Sequence, residues 1–163
     1  MVLVGDYAHQ EGLFISIELF NEFFAGPIKK CVEIVKGNCP QARIMQHTCG
    51  TAADLLPIYL ELGIDIFNPL QSGSYGMDHA ELKKKYYGKM VFYGAVDVQQ
   101  NMPFGTMEDL RNEIKERCEI LGKGGGYILA PANHMQKDIS PEKVEALFKF
   151  ARQYGRYPNL SQG

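Results

Sequence analysis

Two short apolar runs, Ile44–Gly50 and Gly124–Met135, end in residues that can hold a metal ion. The first reads Ile44-Met45-Gln46-His47-Thr48-Cys49-Gly50. The second closes on Ala130-Pro131-Ala132-Asn133-His134-Met135. His47 and Cys49 are two apart, so on an extended strand both side chains leave the same face. Imidazole beside a soft thiolate suits zinc better than calcium or magnesium. Cys49 also precedes a predicted helix start, where the helix dipole is expected to lower its pKa. A catalytic zinc takes about three protein ligands. The third must come from another strand end, where Asn133 and His134 stand. Asn is a poor zinc ligand, which favours His134. The two runs make a site only if they meet in space.

Strands and helices must alternate to bring them together. Val2–Val4, Ala42–Gln46, Ile64–Asn68, Met90–Tyr93 and Tyr127–Leu129 read as strands: short apolar runs without alternation, as in a parallel sheet covered on both faces. Between them run amphipathic helices. One follows an N-cap at Ser16 and carries Leu19, Phe20, Phe23, Ile28, Cys31, Val32 and Val35. Gly26-Pro27 is expected to kink or split it. Another spans Ala52–Leu62 and stops at Gly63. Asp78 and Glu81 predict a capping box for a helix through Tyr86. Thr106 caps a helix with Leu110, Ile114, Cys118 and Leu121 on one face. Ser140-Pro141 opens the last, through about Tyr154. Alternating β and α predicts an α/β fold with a parallel sheet of about five β-α units. It is expected to be one domain over residues 1–157 with a flexible tail, 158–163.

In such folds the chemistry lies at the C-terminal ends of the strands. Asp6, His47 and Cys49, Asn68 and Gln71, Asp97 and Gln99, and Asn133 and His134 all fall at those ends. Taken singly, Asp6, Asn68 and Asp97 read equally well as loop caps, and a buried Cys is usually a small hydrophobe. Their gathering at one pole is what points to function. Gly124-Gly125-Gly126 precedes its strand, so it reads as a tight turn and not as a phosphate cradle. Lys83-Lys84-Lys85 reads as a solvated helix face, and His9 and His79 as surface or capping residues.

Composition narrows the class. The chain has 163 residues, 45% hydrophobic and 22% charged, with net charge −2. That suits one globular domain with a core and gives no bulk attraction to nucleic acid or acidic membrane. No apolar stretch is long enough to span a bilayer. The first residues show no basic leader, and Cys31, Cys39, Cys49 and Cys118 follow no disulfide framework. These features predict reduced thiols and a cytoplasmic protein.

The chain resembles the uroporphyrinogen decarboxylase superfamily along nearly its whole length. Gly5-Asp6 with Gln10–Ser16 is similar to the family's Gly-Asp and Gln-x-Gly-x-x-Ile-Ser segment. His47-Thr48-Cys49-Gly50 is similar to its His-x-Cys-Gly, and Gly63–Pro69 to its Gly-x-Asp-x-x-Asn-Pro strand. Gly94–Gln99, Pro103–Thr106, and Gly124–Pro131 with Asp138–Glu142 resemble the later segments in order. The resemblance implies a TIM barrel. It also implies one of two chemistries: cofactor-free decarboxylation of a tetrapyrrole, or zinc-dependent methyl transfer with a corrinoid protein. The His-x-Cys motif is similar to that of the methyltransferase branch. There zinc is held by that His, that Cys and a later Cys, and activates an acceptor thiolate. Asn133 stands where that later ligand aligns, with His134 beside it.

Taken together, the expectation is a partial (β/α)8 barrel matching the C-terminal half of its longer relatives, since five strands cannot close an eight-stranded barrel. Zinc is expected on His47, Cys49 and His134, with a methylcobalamin-type corrinoid on a partner protein. Asp6, Asn68 and Asp97 are expected as catalytic residues that position the substrate, and Gln71, Gln99 and Asn133 as cofactor contacts. The alternatives are a tetrapyrrole decarboxylase lyase and an inactive fragment or assembly module. Two open edges call for a homo-oligomer or a complementary N-terminal half.

Overall fold

The computed structural model describes residues 1–157; the expected tail at 158–163 lies outside the described residues. Strand β1 (Val2–Val4) is followed by a small hairpin, β2 (Ala8–His9) and β3 (Gly12–Leu13), an addition to the five expected strands. Helix α1 (Ile17–Phe20) then passes through a π turn at Asn21–Ala25 into α2 (Gly26–Asn38). Strand β4 (Met45–His47) leads through a 3-10 turn at Ala53–Leu55 to α3 (Leu56–Glu61). Next come β5 (Ile66–Leu70), α4 (His79–Tyr86), β6 (Val91–Val96), the short α5 (Asn101–Phe104) and α6 (Met107–Leu121). Strand β7 (Tyr127–Pro131) and α7 (Pro141–Tyr154) close the described chain.

Caps fall where the residue types place them. Ser16, Asp78, Thr106 and Ser140 each accept a backbone N–H from the third residue on, satisfying a donor that has no partner inside the helix. The full reciprocal box forms at Thr106 and Asp109. Gly26-Pro27 does not break the first helix. Backbone angles stay right-handed through Ala25 and Gly26, and Pro27 lies in the first turn of α2, where its missing N–H is not needed.

Five strands form one parallel sheet in the order β1-β4-β5-β6-β7, so β1 and β7 are its edges. The expected strand at Ala42–Gln46 starts later, because Ala42 is bonded into a turn on Cys39 and Ile44 N–H is taken by Asp65 Oδ2 at 2.8 Å. The sheet is covered by helices on one face. Phe67 stacks on Tyr59 of α3, and Phe92 meets Tyr86 of α4 edge-on. Phe20, Leu55, Leu56 and Leu70 complete that core with no exposed surface. Residues of opposite parity occupy the other face: Val2, Val4, Met45, His47, Ile66, Asn68, Val91, Tyr93 and Ile128. There Val4 is 75% and Ile128 41% exposed. The expectation of strands covered on both faces therefore holds for one face only.

The sheet is curled. Across three strand spacings a flat sheet would separate β4 from β7 by about 14 Å. Yet Asn133, just past β7, reaches Cys49, just past β4, at 3.4 Å. Parallel strands in chain order, helices outside and a concave bare face make an open portion of a (β/α) barrel. Two other details differ from expectation. Lys83 is half-buried, donates to the carbonyl of Gly125 and lies over the Tyr87 ring; only Lys84 and Lys85 stay exposed. Gly124, Gly125 and Gly126 all take positive φ, which makes the expected tight turn glycine-dependent. No helix among the described residues is long and apolar enough to cross a membrane.

Candidate metal centre

Register builds the site. Val4 pairs with His47, and His47 with Asn68, so Asp6 stands across from Cys49 one pleat further on. Cys49 N–H donates to Asp6 Oδ1 at 2.8 Å and ties those two strand ends together. His47 Nδ1 meets Asn68 Oδ1 at 2.7 Å. Because that oxygen can only accept, the imidazole proton belongs on Nδ1 and the lone pair on Nε2. Nε2 lies 3.5 Å from Cys49 Sγ and 3.8 Å from an Asp6 carboxylate oxygen. Asp6, His47 and Cys49 thus present ligand atoms within 4.8 Å of one another, and they are the metal-capable group of three among the described residues.

The loop holding these atoms is braced from behind. Thr48 is fully buried; its hydroxyl donates to Gly5 O at 2.8 Å and shares a 2.8 Å bond with the Tyr59 hydroxyl. Gly50 N–H donates to the buried Gln71 Oε1 at 2.9 Å. Gly50 itself has φ +82, and a Cβ there would sit 2.4 Å from His9 O. The hairpin packs on it, with Thr51 bonded to His9 O and Gln10 O at 2.8 and 2.7 Å. Thr48, Thr51, Tyr59 and the hairpin were not among the residues expected at the site. Their contacts run between segments distant in the chain, and spacing carries no trace of them.

An imidazole nitrogen, a thiol and a carboxylate fit zinc chemically. The His47–Cys49 edge fits in distance too. Bond lengths of about 2.0–2.1 Å to nitrogen and 2.3 Å to sulfur give a tetrahedral N···S edge of roughly 3.6 Å, against the 3.5 Å seen. Without a cation the thiol is not activated: burial, and then the Asp6 charge, push the Cys49 pKa up to about 11. The expected lowering by a helix dipole does not occur. The 3-10 turn begins only at Ala53, and an anionic carboxylate lies closer than any helix end.

The remaining expected residues are divided. Asn133 comes to the cluster and donates from Nδ2 to Cys49 Sγ at 3.4 Å. His134 is exposed and outside the group of three, with its backbone N–H on Asn133 Oδ1 at 2.7 Å. Gln71 braces backbone. Asp97 caps its own turn: its carboxylate accepts the N–H groups of Gln99, Gln100 and Asn101 at 2.7, 3.3 and 3.2 Å. Gln99 is exposed beside it. A cavity of about 290 Å³ between Cys118, Tyr127 and Tyr154 lies at the opposite pole, before β7, so it is no part of this site.

Comparison with known proteins bears on the whole arrangement. No curated protein matches the sequence. A methyltransferase from Methanosarcina mazei superposes with a TM-score of 0.71 at 18% identity, over 95% of this chain and 42% of that one. This chain therefore spans less than half the length of that protein, and at such identity the likeness speaks for the fold alone. The sequence profile of uroporphyrinogen decarboxylase (URO-D) matches residues 1–154. With parallel β-α units in barrel order and the His-x-Cys strand end facing the mouth, the chain belongs to the uroporphyrinogen decarboxylase family.

Proposed function

We propose that the chain is the metal-bearing part of a zinc-dependent methyltransferase that draws its methyl group from a corrinoid on a partner protein. One observation carries the reading. Nitrogen, sulfur and oxygen donors from two neighbouring strands converge at the C-terminal pole of a parallel sheet, where such folds keep their chemistry. His47 and Cys49 form the core of the metal site. Zinc bound there supplies the Lewis acidity that favours the thiolate form of an acceptor thiol. The chain's own groups do the rest. Asn68 fixes the imidazole tautomer and ring orientation, Asn133 donates to the sulfur, and Thr48 and Gln71 hold the loop still. The bare concave face leaves the mouth open, and a second copy or a complementary N-terminal half is the proposed means of completing it.

Metal analysis tests this. Protein purified without chelator is expected to carry about one zinc per chain, and Cys49→Ser to lose most of it, because a hard hydroxyl replaces a soft thiolate. Protein with no stoichiometric metal would remove the main support for methyl transfer. It would leave tetrapyrrole decarboxylation, which takes its support from the family name and not from this cluster.

A further inference from the structure

The geometry points to Asp6, and not to a residue of the β7 loop, as the third protein ligand of the metal held by His47 and Cys49. This rests on the zinc reading above and specifies which side chains of this chain make the site.

Three observations support it. First, the two nitrogens of His47 are already assigned. Asn68 occupies Nδ1 at 2.7 Å, so the Nε2 lone pair points to where Sγ and the Asp6 carboxylate also converge, at 3.5 and 3.8 Å. A cation placed among these three donors would be held by all of them. Second, Asp6 stands two residues past β1, where Gly5 N–H still donates to His47 O at 3.1 Å. β1 and β4 pair from Val2 to His47, and Cys49 N–H fastens one carboxylate oxygen at 2.8 Å. Third, β7 offers no competing donor in place. The side chain that reaches Cys49 from it is Asn133, through an N–H donor, which can support a metal-bound sulfur but cannot ligate. His134 lies outside the converging group.

Charge agrees with this choice. Zinc on one thiolate, one carboxylate and one neutral imidazole is formally neutral. His134 in place of Asp6 would leave a net positive site beside a half-buried wall, which costs more to desolvate. Asp6 is also the outermost of the three, with its side chain 53% exposed against 26% for His47. A catalytic zinc needs room for an exchangeable ligand, and the exposed side beside Asp6 would offer it.

The test compares Asp6→Asn, His134→Asn and Cys49→Ser with the unaltered chain, using zinc and Co(II) as probes. Asp6→Asn keeps an oxygen for the Cys49 N–H but removes the charge and the ligating carboxylate. Zinc affinity is read by competition with a chromogenic chelator. Co(II) absorption reports thiolate ligation and four-coordinate geometry, and thermal melting without metal checks the fold. The expected result is a loss in zinc affinity of on the order of a hundredfold or more for Asp6→Asn, above the roughly 10–100-fold that supporting residues cost. The thiolate-to-cobalt band should survive while the four-coordinate signature changes, and His134→Asn should bind as the unaltered chain does. Should Asp6→Asn unfold, His134→Asn decides alone: a large loss there assigns the ligand to the β7 loop and overturns the inference. Zinc binding with Asp6→Asn unaffected also overturns it while sparing the zinc reading. An unaltered chain that binds neither zinc nor cobalt overturns both.

Discussion

His47 uses its two nitrogens differently, and most of the site's chemistry follows from that. Asn68 holds Nδ1, so the ring cannot flip and Nε2 keeps its lone pair toward Cys49. Replacing Asn68 by Ala frees the ring without touching a donor atom. Zinc affinity is then expected to fall about 10–100-fold, the usual cost of losing an outer partner of a metal histidine, as measured by chelator competition. Behind the ring, the buried Thr48 hydroxyl bonds Gly5 O and the buried Tyr59 hydroxyl. Thr48→Val keeps the shape but leaves those groups unpaired. The expected loss is about 1–3 kcal/mol of unfolding free energy for a buried polar group left unsatisfied, read from the denaturant midpoint.

Among the elements, the turn after β4 and the start of α4 make different demands. Gly50 carries positive φ with the hairpin backbone against its α-carbon. Gly50→Ala therefore meets both a left-handed penalty of about 1–2 kcal/mol and a clash with His9 O that only movement of the hairpin relieves. Zinc affinity and melting temperature are expected to fall together; unchanged values for both would contradict the bracing role of the hairpin. Helix α4 begins with His79, which is 7% exposed, and its buried Nε2 has no hydrogen-bond partner among the described residues. Burial, aided by the Arg117 charge, lowers its pKa from 6.5 to about 4. A histidine depressed in the folded state binds its proton first in the unfolded chain. Its contribution to stability is therefore complete above pH 6.5 and is lost as pH falls from 6.5 to about 4, by on the order of 3 kcal/mol. Unfolding free energy measured across that window should drop, and His79→Gln should flatten the drop.

For the whole molecule, the bare face of the sheet is the governing fact. Val2, Val4, Met45, Ile66, Val91, Tyr93 and Ile128 share it, while β1 and β7 are the edges of the sheet among the described residues, Tyr157 bonding the N–H and carbonyl of Tyr127 on the β7 side. Exposed apolar rows and open edges favour association. The chain alone is expected to sediment at micromolar concentration as more than a monomer, and Val4→Lys with Ile128→Lys to dissociate it. A well-folded monomer of the unaltered chain would show that the curled sheet tolerates its open face, and the proposed second copy or complementary half would lose its physical motive.

The sequence by itself determined the alternation of strand and helix, the helix caps at Ser16, Asp78, Thr106 and Ser140, and the gathering of polar residues at one pole. These follow from local chemistry: period, propensity and capping act within a few residues. It also pointed to His47 and Cys49, because a spacing of two on a strand is a local property. It set Asp6, Asn68 and Asn133 at the same pole without showing which of the aligned residues meet that pair. Asp6 meets Cys49 because β1 lies beside β4 in a register set by the packing of the whole sheet. Asn133 meets Cys49 because the sheet curls enough to bring β7 back across the mouth. Asp97, placed at the same pole by its strand, was drawn into capping the turn that follows. Register, curvature and competition for hydrogen bonds are decided between distant segments, so only the tertiary structure could settle which of the aligned residues share one site.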